Sequence, residues 1–288
     1  MFENREILPP PWMALPEIEW GSMHWRMGIG EAYARKWGAW YRQLVEEEKR
    51  EYLRLFPEPL SWRGFISGEP ECEFVHEGDL YVTLWRKNGR PKYTRGKIIN
   101  TYQTGKMPEF CMFWKHHPAE DGKISNGCFS QWWESRFLHD GECFCCMEQC
   151  MMLGKAKLFQ DKEIQEKIRG CTDQQEIKAL GRAVRGVDEK LWDSVKYALI
   201  LTGNYNKFAQ NAELRRYLLS TEDRILVEAS PYDRIWGIGL SADDPRAHNP
   251  EQWQGSNLLG FALMEVRDEI RRVYANEALC CDPWKSPL

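Results

Sequence analysis

The sequence predicts an α+β fold, mostly helical, with a small β element and an aromatic-rich extension at its N-terminal end. Three observations lead there. From Glu148 onward, apolar residues recur at three- and four-residue spacing. Short strand-like runs bounded by turn residues are confined to Leu80–Trp114 and Arg224–Ala229. Ahead of both, Trp12, Trp20, Trp25, Trp37 and Trp40 crowd a stretch that opens on Pro9-Pro10-Pro11, and rings at that density need a surface to pack on.

In chain order, Tyr33, Trp37, Trp40, Tyr41, Leu44, Tyr52 and Leu55 suggest one amphipathic helix from Glu31 to Phe56, ended by Pro57 and Pro59. Leu80 to Trp85 reads as a strand, Asn88-Gly89 as a hairpin turn, and Ile98-Ile99 as part of a returning strand. Phe110 to Trp114 is a further strand candidate, followed by a loop from Asp121 to Gly127. The pattern then turns helical over Glu148–Phe159, Lys162–Arg169, a segment whose Thr172-x-x-Gln175 spacing fits a capping box, Asp188–Phe208 and Asn211–Leu219. Arg224 to Ala229 is a strand candidate with Ile225, Leu226 and Val227 at its centre, and Asn257 is placed to cap a last helix toward Ala278. A boundary near Lys115 divides the chain into an extension, 1–115, and a main domain, 116–288.

With 43% hydrophobic and 28% charged residues among 288, the chain has the composition of a folding globular protein. A formal net charge of -4 argues against nucleic-acid binding by bulk charge. No run approaches the apolar length that spans a bilayer, so no membrane partner is expected. No signal-peptide core follows the first residues, and ten sparse cysteines read as reduced thiols, which together point to the cytoplasm. Cys143, Cys145, Cys146 and Cys150 cluster, but not in paired C-x-x-C spacing, and no metal is expected there. Nothing in the sequence indicates an oligomeric state.

Glu148 and Lys155 lie seven residues apart, two turns along one helical face, with Met152 between them. Either they face one cavity, or they are the charged ends of a core stripe. The run Trp85–Lys97 interleaves Arg86, Lys87, Arg90, Lys92, Arg95 and Lys97 with Trp85 and Tyr93, and reads either as a DNA or RNA contact or as a solvated hairpin.

The Glu148 helix resembles the glutamate-bearing helix of the NADAR (YbiA-like) family, and the likeness continues in register. Phe129-Ser130 precede it. Leu180-Gly181-Arg182-Ala183-Val184-Arg185, Leu191-Trp192, Asn204–Phe208 and Asn211–Leu214 follow, then Ser230-Pro231-Tyr232-Asp233-Arg234-Ile235-Trp236-Gly237 and Gly255-Ser256-Asn257-Leu258-Leu259-Gly260. The resemblance spans roughly Gly127 to Arg272. It implies a mostly helical core that hydrolyses a ribose–base N-glycosidic bond without metal or redox cofactor. Family activities include removal of ADP-ribose from guanine, in nucleic acid or nucleotide, and cleavage of phosphoribosylamino-pyrimidine intermediates of riboflavin synthesis; a non-catalytic ADP-ribose reader is the rival of another class.

On that reading Glu148 stabilises the developing oxocarbenium ion and moves protons, Lys155 forms an imine or clamps a phosphate, and Asp233 orients a ribose hydroxyl or assists proton transfer. Trp192 and Trp236 are stacking candidates, Arg182 and Arg185 phosphate ligands, and Phe129, Ser130 and Asn257 further substrate contacts. Asp243 to Gln254 is expected to line or cover the site.

Overall fold

The computed structural model describes residues 6–68, 72–86, 89–105 and 107–284, and these fall into two compact units. One comprises Met1–Cys72, Leu138–Glu142 and Asp268–Leu288; the other comprises Glu73–Phe137 and Cys143–Arg267. The sequence expectation put a boundary near residue 115, whereas the units part after Cys72, and 73–115 share a unit with 143–267.

The first unit carries α1 (Pro11–Ala14), α2 (Gly28–Arg42) and α3 (Glu46–Leu55). The single helix expected over Glu31–Phe56 is broken at Gln43–Val45. Val45 is extended and its amide donates to the Glu48 carboxylate at 3.1 Å. Glu46, Glu47 and Glu48 then fill the first turn of α3, where the helix dipole favours negative charge. The tryptophans supply this unit's core, in which Trp37, Trp40, Tyr33, Tyr52 and Phe56 are buried together.

The second unit opens with the antiparallel pair β1 (Phe74–Glu77) and β2 (Leu80–Thr83). Its turn is Gly78-Asp79, with Gly78 at φ +58, not the expected Asn88-Gly89. Ile98 and Ile99 lie in helix α4 (Arg95–Gln103), capped by the Thr94 hydroxyl, which accepts from the Lys97 amide. The returning strand expected through Ile98-Ile99 is thus a helix, and Lys87 and Asn88 lie outside the described residues. Arg86 pairs with Glu265 at 3.1 Å, Arg95 donates to the Pro250 and Glu251 carbonyls, and the Trp85 indole donates to Thr202. These groups are held by their own unit.

The site is framed by β3 (Phe110–Phe113), which pairs in parallel with a strand far down the chain. Between them lie the short strands β4 (Phe137–His139) and β5 (Glu142–Phe144), then α5 (Met147–Leu158), α6 (Lys162–Arg169), α7 (Gln174–Arg182), α8 (Glu189–Gln210) and α9 (Ala212–Leu219). The return strand is β6 (Ile225–Glu228), with Phe110 opposite Ile225 and Phe113 opposite Glu228. Ile225, Leu226 and Val227 are buried, the unbroken apolar run expected of a parallel strand covered on both faces.

Helix α5 is buried on almost every side and packs on α6, α7 and α8. Glycines set its spacing. A Cβ at Gly154 would collide with Leu199, one at Gly203 with Met147, and one at Gly181 with Met152, so α7 and α8 approach α5 more closely than larger residues allow. Asp173, not Thr172, caps α7, its carboxylate accepting from Glu176 at 2.8 Å. Helix α10 (Leu258–Tyr274) is the last long element. Asn257 precedes it at φ +54, but its side chain bonds β6, accepting from the Glu228 amide and donating to the Leu226 carbonyl.

Candidate active site

A cleft of about 770 Å³ lies within the second unit, where β3 and β6 end and α5 begins. The C-terminal ends of adjacent parallel strands are where such folds gather ligand-binding groups. The strand ends supply Trp114, Lys115 and His116 after β3, and Glu228, Ser230 and the 232–236 loop at and after β6. Helix α5 contributes Glu148, Met151, Met152 and Lys155; α7 adds Lys178 and Arg182, and α8 adds Trp192.

Glu148 is 3% exposed in the first turn of α5. It is fixed from behind. The buried ammonium of Lys207 on α8 donates to the carbonyls of Cys128 at 2.7 Å and Ser130 at 3.2 Å. That pins the segment whose next carbonyl, Gln131, accepts from the Glu148 amide at 2.9 Å. Burial pushes the Lys207 ammonium down to about 8. The neighbouring Trp132 ring has Lys178 over its face at 5.4 Å and His116 at 5.5 Å. Burial lifts the Glu148 carboxyl to about 7, helped by the Asp233 charge and opposed by Lys178, the Trp132 indole and Arg182.

Lys155, half-buried two turns along α5, lies over the Trp192 ring at 5.8 Å, a cation–π distance. The two residues seven apart therefore do reach one cavity, with Met152 beside them on its wall. Asp233 Oδ1 accepts from the amides of Ile235 at 2.8 Å and Trp236 at 2.7 Å, which shapes the loop carrying Tyr232, Arg234 and Trp236 into the cleft. Glu228, the last residue of β6, also lines it. Its Oε2 is buried and has no hydrogen-bond partner among the described residues. Burial, then the charges of Asp233 and Glu148, lift this carboxyl to about 8, against Lys178.

Of the residues singled out in the sequence, Glu148, Lys155, Asp233, Ser130, Arg182, Trp192 and Trp236 come together on this cleft. Three do not. Phe129 is fully buried against Phe113 at 5.6 Å. Arg185 is bound by Asp161 at 2.6 Å and Glu163 at 3.1 Å. Asn257 is used by β6, and no residue of 243–254 lines the cleft; Trp253 is buried, its indole bonding the Ala247 carbonyl. Sequence reasoning missed Trp114, Trp132, Lys178 and Glu228. Among the described residues no three His, Cys, Asp or Glu side chains gather as metal ligands, and no helix is long and apolar enough to cross a membrane.

The family model described as the NADAR domain matches residues 112–271, more than half of the chain and the stretch that builds the cleft. The chain belongs to the NADAR family. It is 42% identical over 158 residues to N-glycosidase R617 of Acanthamoeba polyphaga mimivirus, covering 53% of this chain and 93% of that one. Over 129 residues it is 41% identical to Protein irg-1 of Caenorhabditis elegans, covering 44% and 61%. It is 34% identical over 116 residues to N-glycosidase YbiA of Escherichia coli, covering 40% and 66%. An NMR structure of the E. coli YbiA protein aligns with 60% of this chain and 89% of its own, at 27% identity and a TM-score of 0.47.

Proposed function

We propose that this NADAR-family chain is an N-glycosidase that removes ADP-ribose from guanine in a nucleotide or nucleic acid. The enzyme class, a hydrolase of N-glycosyl compounds, is supported by the family and by relatives named N-glycosidases. The substrate is supported by one observation, the double inventory of the cleft. Five aromatic side chains, Trp114, Trp132, Trp192, Tyr232 and Trp236, share its wall with the cations Lys115, Lys155, Lys178, Arg182 and Arg234. An ADP-ribosylated guanine presents two purines to stack, at roughly 1–3 kcal/mol per stacked base, and a diphosphate to neutralise. A phosphoribosylamino-pyrimidine presents one ring and one phosphate, and would leave half of these groups idle.

As the base departs, positive charge develops at C1′, and the buried Glu148 carboxylate stabilises it through a low-dielectric path. A carboxyl near 7 is divided between its two forms at neutral pH, which suits it to take a proton from the attacking water. Asp233 Oδ2 and the Ser130 hydroxyl are the polar atoms assigned to the ribose. Lys155 either attacks C1′ to form an imine or holds a phosphate. Borohydride separates these roles: an imine is reduced to a stable adduct, which mass spectrometry should place on Lys155, whereas an ion pair leaves none.

The deciding experiment incubates the protein with ADP-ribosylated guanosine, with ADP-ribosylated DNA and RNA oligonucleotides, and with the phosphoribosylamino-pyrimidine, following the cleaved products by chromatography. Release of ADP-ribose, leaving unmodified guanosine or oligonucleotide, is expected. Turnover of the pyrimidine alone transfers the site to that substrate, and tight ADP-ribose binding without turnover of any substrate makes the chain a reader.

A further inference from the structure

No step above uses Glu228, although its position is costly. A buried carboxyl oxygen without a partner loses the hydrogen bonds of water and regains none. Here it ends a buried parallel strand and opens onto the same cleft as Glu148. The backbone on either side is fully engaged: the Glu228 amide donates to Asn257 and its carbonyl accepts from Ile238. The strand end is thus held rigidly while the acid at its tip is left unbonded, the arrangement of a group whose partner is the substrate.

We propose that Glu228 is a second catalytic residue, the general acid that protonates the departing base while Glu148 acts as its carboxylate counterpart. The inference rests on the N-glycosidase reading of the cleft. In the step, the C1′–N bond breaks and its electron pair leaves with the base, whose nitrogen takes the Glu228 proton. Water adds to C1′ and its proton passes to Glu148. The sum is substrate plus water giving the ribose hydroxyl and the protonated base, and one proton moving from Glu148 to Glu228 restores both acids.

The surroundings suit that division. Glu228 has Glu148 of α5, Lys178 of α7 and Asp233 of the following loop as its charged neighbours. Lys155, Arg182, Arg234, Lys115 and His116 occupy the remaining wall. Burial first, then the charges of Asp233 and Glu148 against that of Lys178, keep the proton on Glu228 to about 8, so it holds one to give at neutral pH.

The test measures kcat and KM for ADP-ribosylated guanosine from about pH 5 to about pH 10 in wild type, Glu228→Gln and Glu228→Asp. Wild-type turnover should fall above about pH 8 as the acid ionises. Glutamine fills the same volume but gives no proton, so kcat should drop about 10²- to 10⁴-fold with KM within a few-fold, and the alkaline fall should vanish. Aspartate should recover part of the rate together with that fall. A glutamine variant within a few-fold of wild type, or one that keeps the alkaline fall, overturns the proposal. So does a wild-type profile flat to pH 10. Should the glutamine variant fail to fold by circular dichroism, the aspartate variant and the wild-type profile decide. Wild type that turns over no N-glycoside sinks the N-glycosidase reading itself, whereas active wild type indifferent to Glu228 sinks only this assignment.

Discussion

Two regions of this chain are rich in tryptophan and tyrosine, and they treat polar atoms in opposite ways. In the first unit, Tyr33 donates to the Pro9 carbonyl at 2.5 Å, Tyr52 to that of Leu8 at 2.8 Å, and the Trp37 indole to the Tyr52 hydroxyl at 2.9 Å. Trp12 Nε1 is the exception. In the cleft the rings stand beside carboxyls that burial has left short of partners, Glu228 with an unbonded oxygen and Glu148 lifted to about 7. Aromatic density alone does not mark a site. A site is better marked where aromatic rings surround titratable groups whose bonding is unfinished, because there a ligand can complete the set.

The largest effect expected from this contrast is at Glu148. Glu148→Gln should lower turnover about 10²- to 10⁴-fold while thermal melting and ligand binding are retained. Its counterpart is Trp37→Ala in the other cluster, which should cost roughly 3–5 kcal/mol of stability and leave kcat of the folded fraction unchanged. If Glu148→Gln stays within a few-fold of wild type, or if Trp37→Ala abolishes turnover in folded protein, the two clusters do not differ in kind.

How far the sequence revealed this depends on how local each signal is. The Glu148–Lys155 spacing needs only the helical repeat, and α5 delivers both residues to one wall. Family motifs carried Trp192, Asp233 and Trp236 to the same place. The break between α2 and α3 was hidden because Val45 is an apolar residue acting as a cap through its backbone, and composition does not show that. Glu228 was illegible for another reason. In Ile225-Leu226-Val227-Glu228 it looks like the polar edge of an apolar run, and only the parallel pairing with β3, about 115 residues earlier, turns that edge into the floor of a cleft. Arg185 shows the reverse failure. Its motif pointed to a phosphate, while Asp161 and Glu163 already hold its guanidinium.

A second, smaller effect separates the regions by pH. Glu148 and Glu228 bind protons more tightly in the folded chain than at the ordinary value of 4.5. The folded state therefore holds more protons between about 4.5 and about 8, and stability falls as pH rises through that window. Glu228→Gln should remove part of this loss. Little change in stability is expected at about pH 4, where the acid is neutral in both states, and a gain of about 1–3 kcal/mol above pH 8, less than the full shift implies because water penetrates a cleft. Denaturant melts at the two pH values check it. A gain equal at both would show that the carboxyl is not destabilised by its charge.

The smallest expected effect completes the contrast from the other side. Tyr33 is fully buried, and its hydroxyl bonds the Pro9 carbonyl. Burial pushes the phenol far above its ordinary range, so it stays neutral at every pH at which the chain would be assayed. Tyr33→Phe keeps the ring and its packing but strands the carbonyl, which should cost about 1 kcal/mol. Because no proton is exchanged, that loss should be the same at about pH 4 and above pH 8. The kcat for ADP-ribosylated guanosine should not move. The paired result, a pH-independent loss in the aromatic cluster beside a pH-dependent gain in the cleft, is what finished and unfinished bonding predict. A Tyr33→Phe loss that grew or shrank with pH would mean that a titrating neighbour acts on the cluster, and a fall in kcat would mean that the cluster serves catalysis after all.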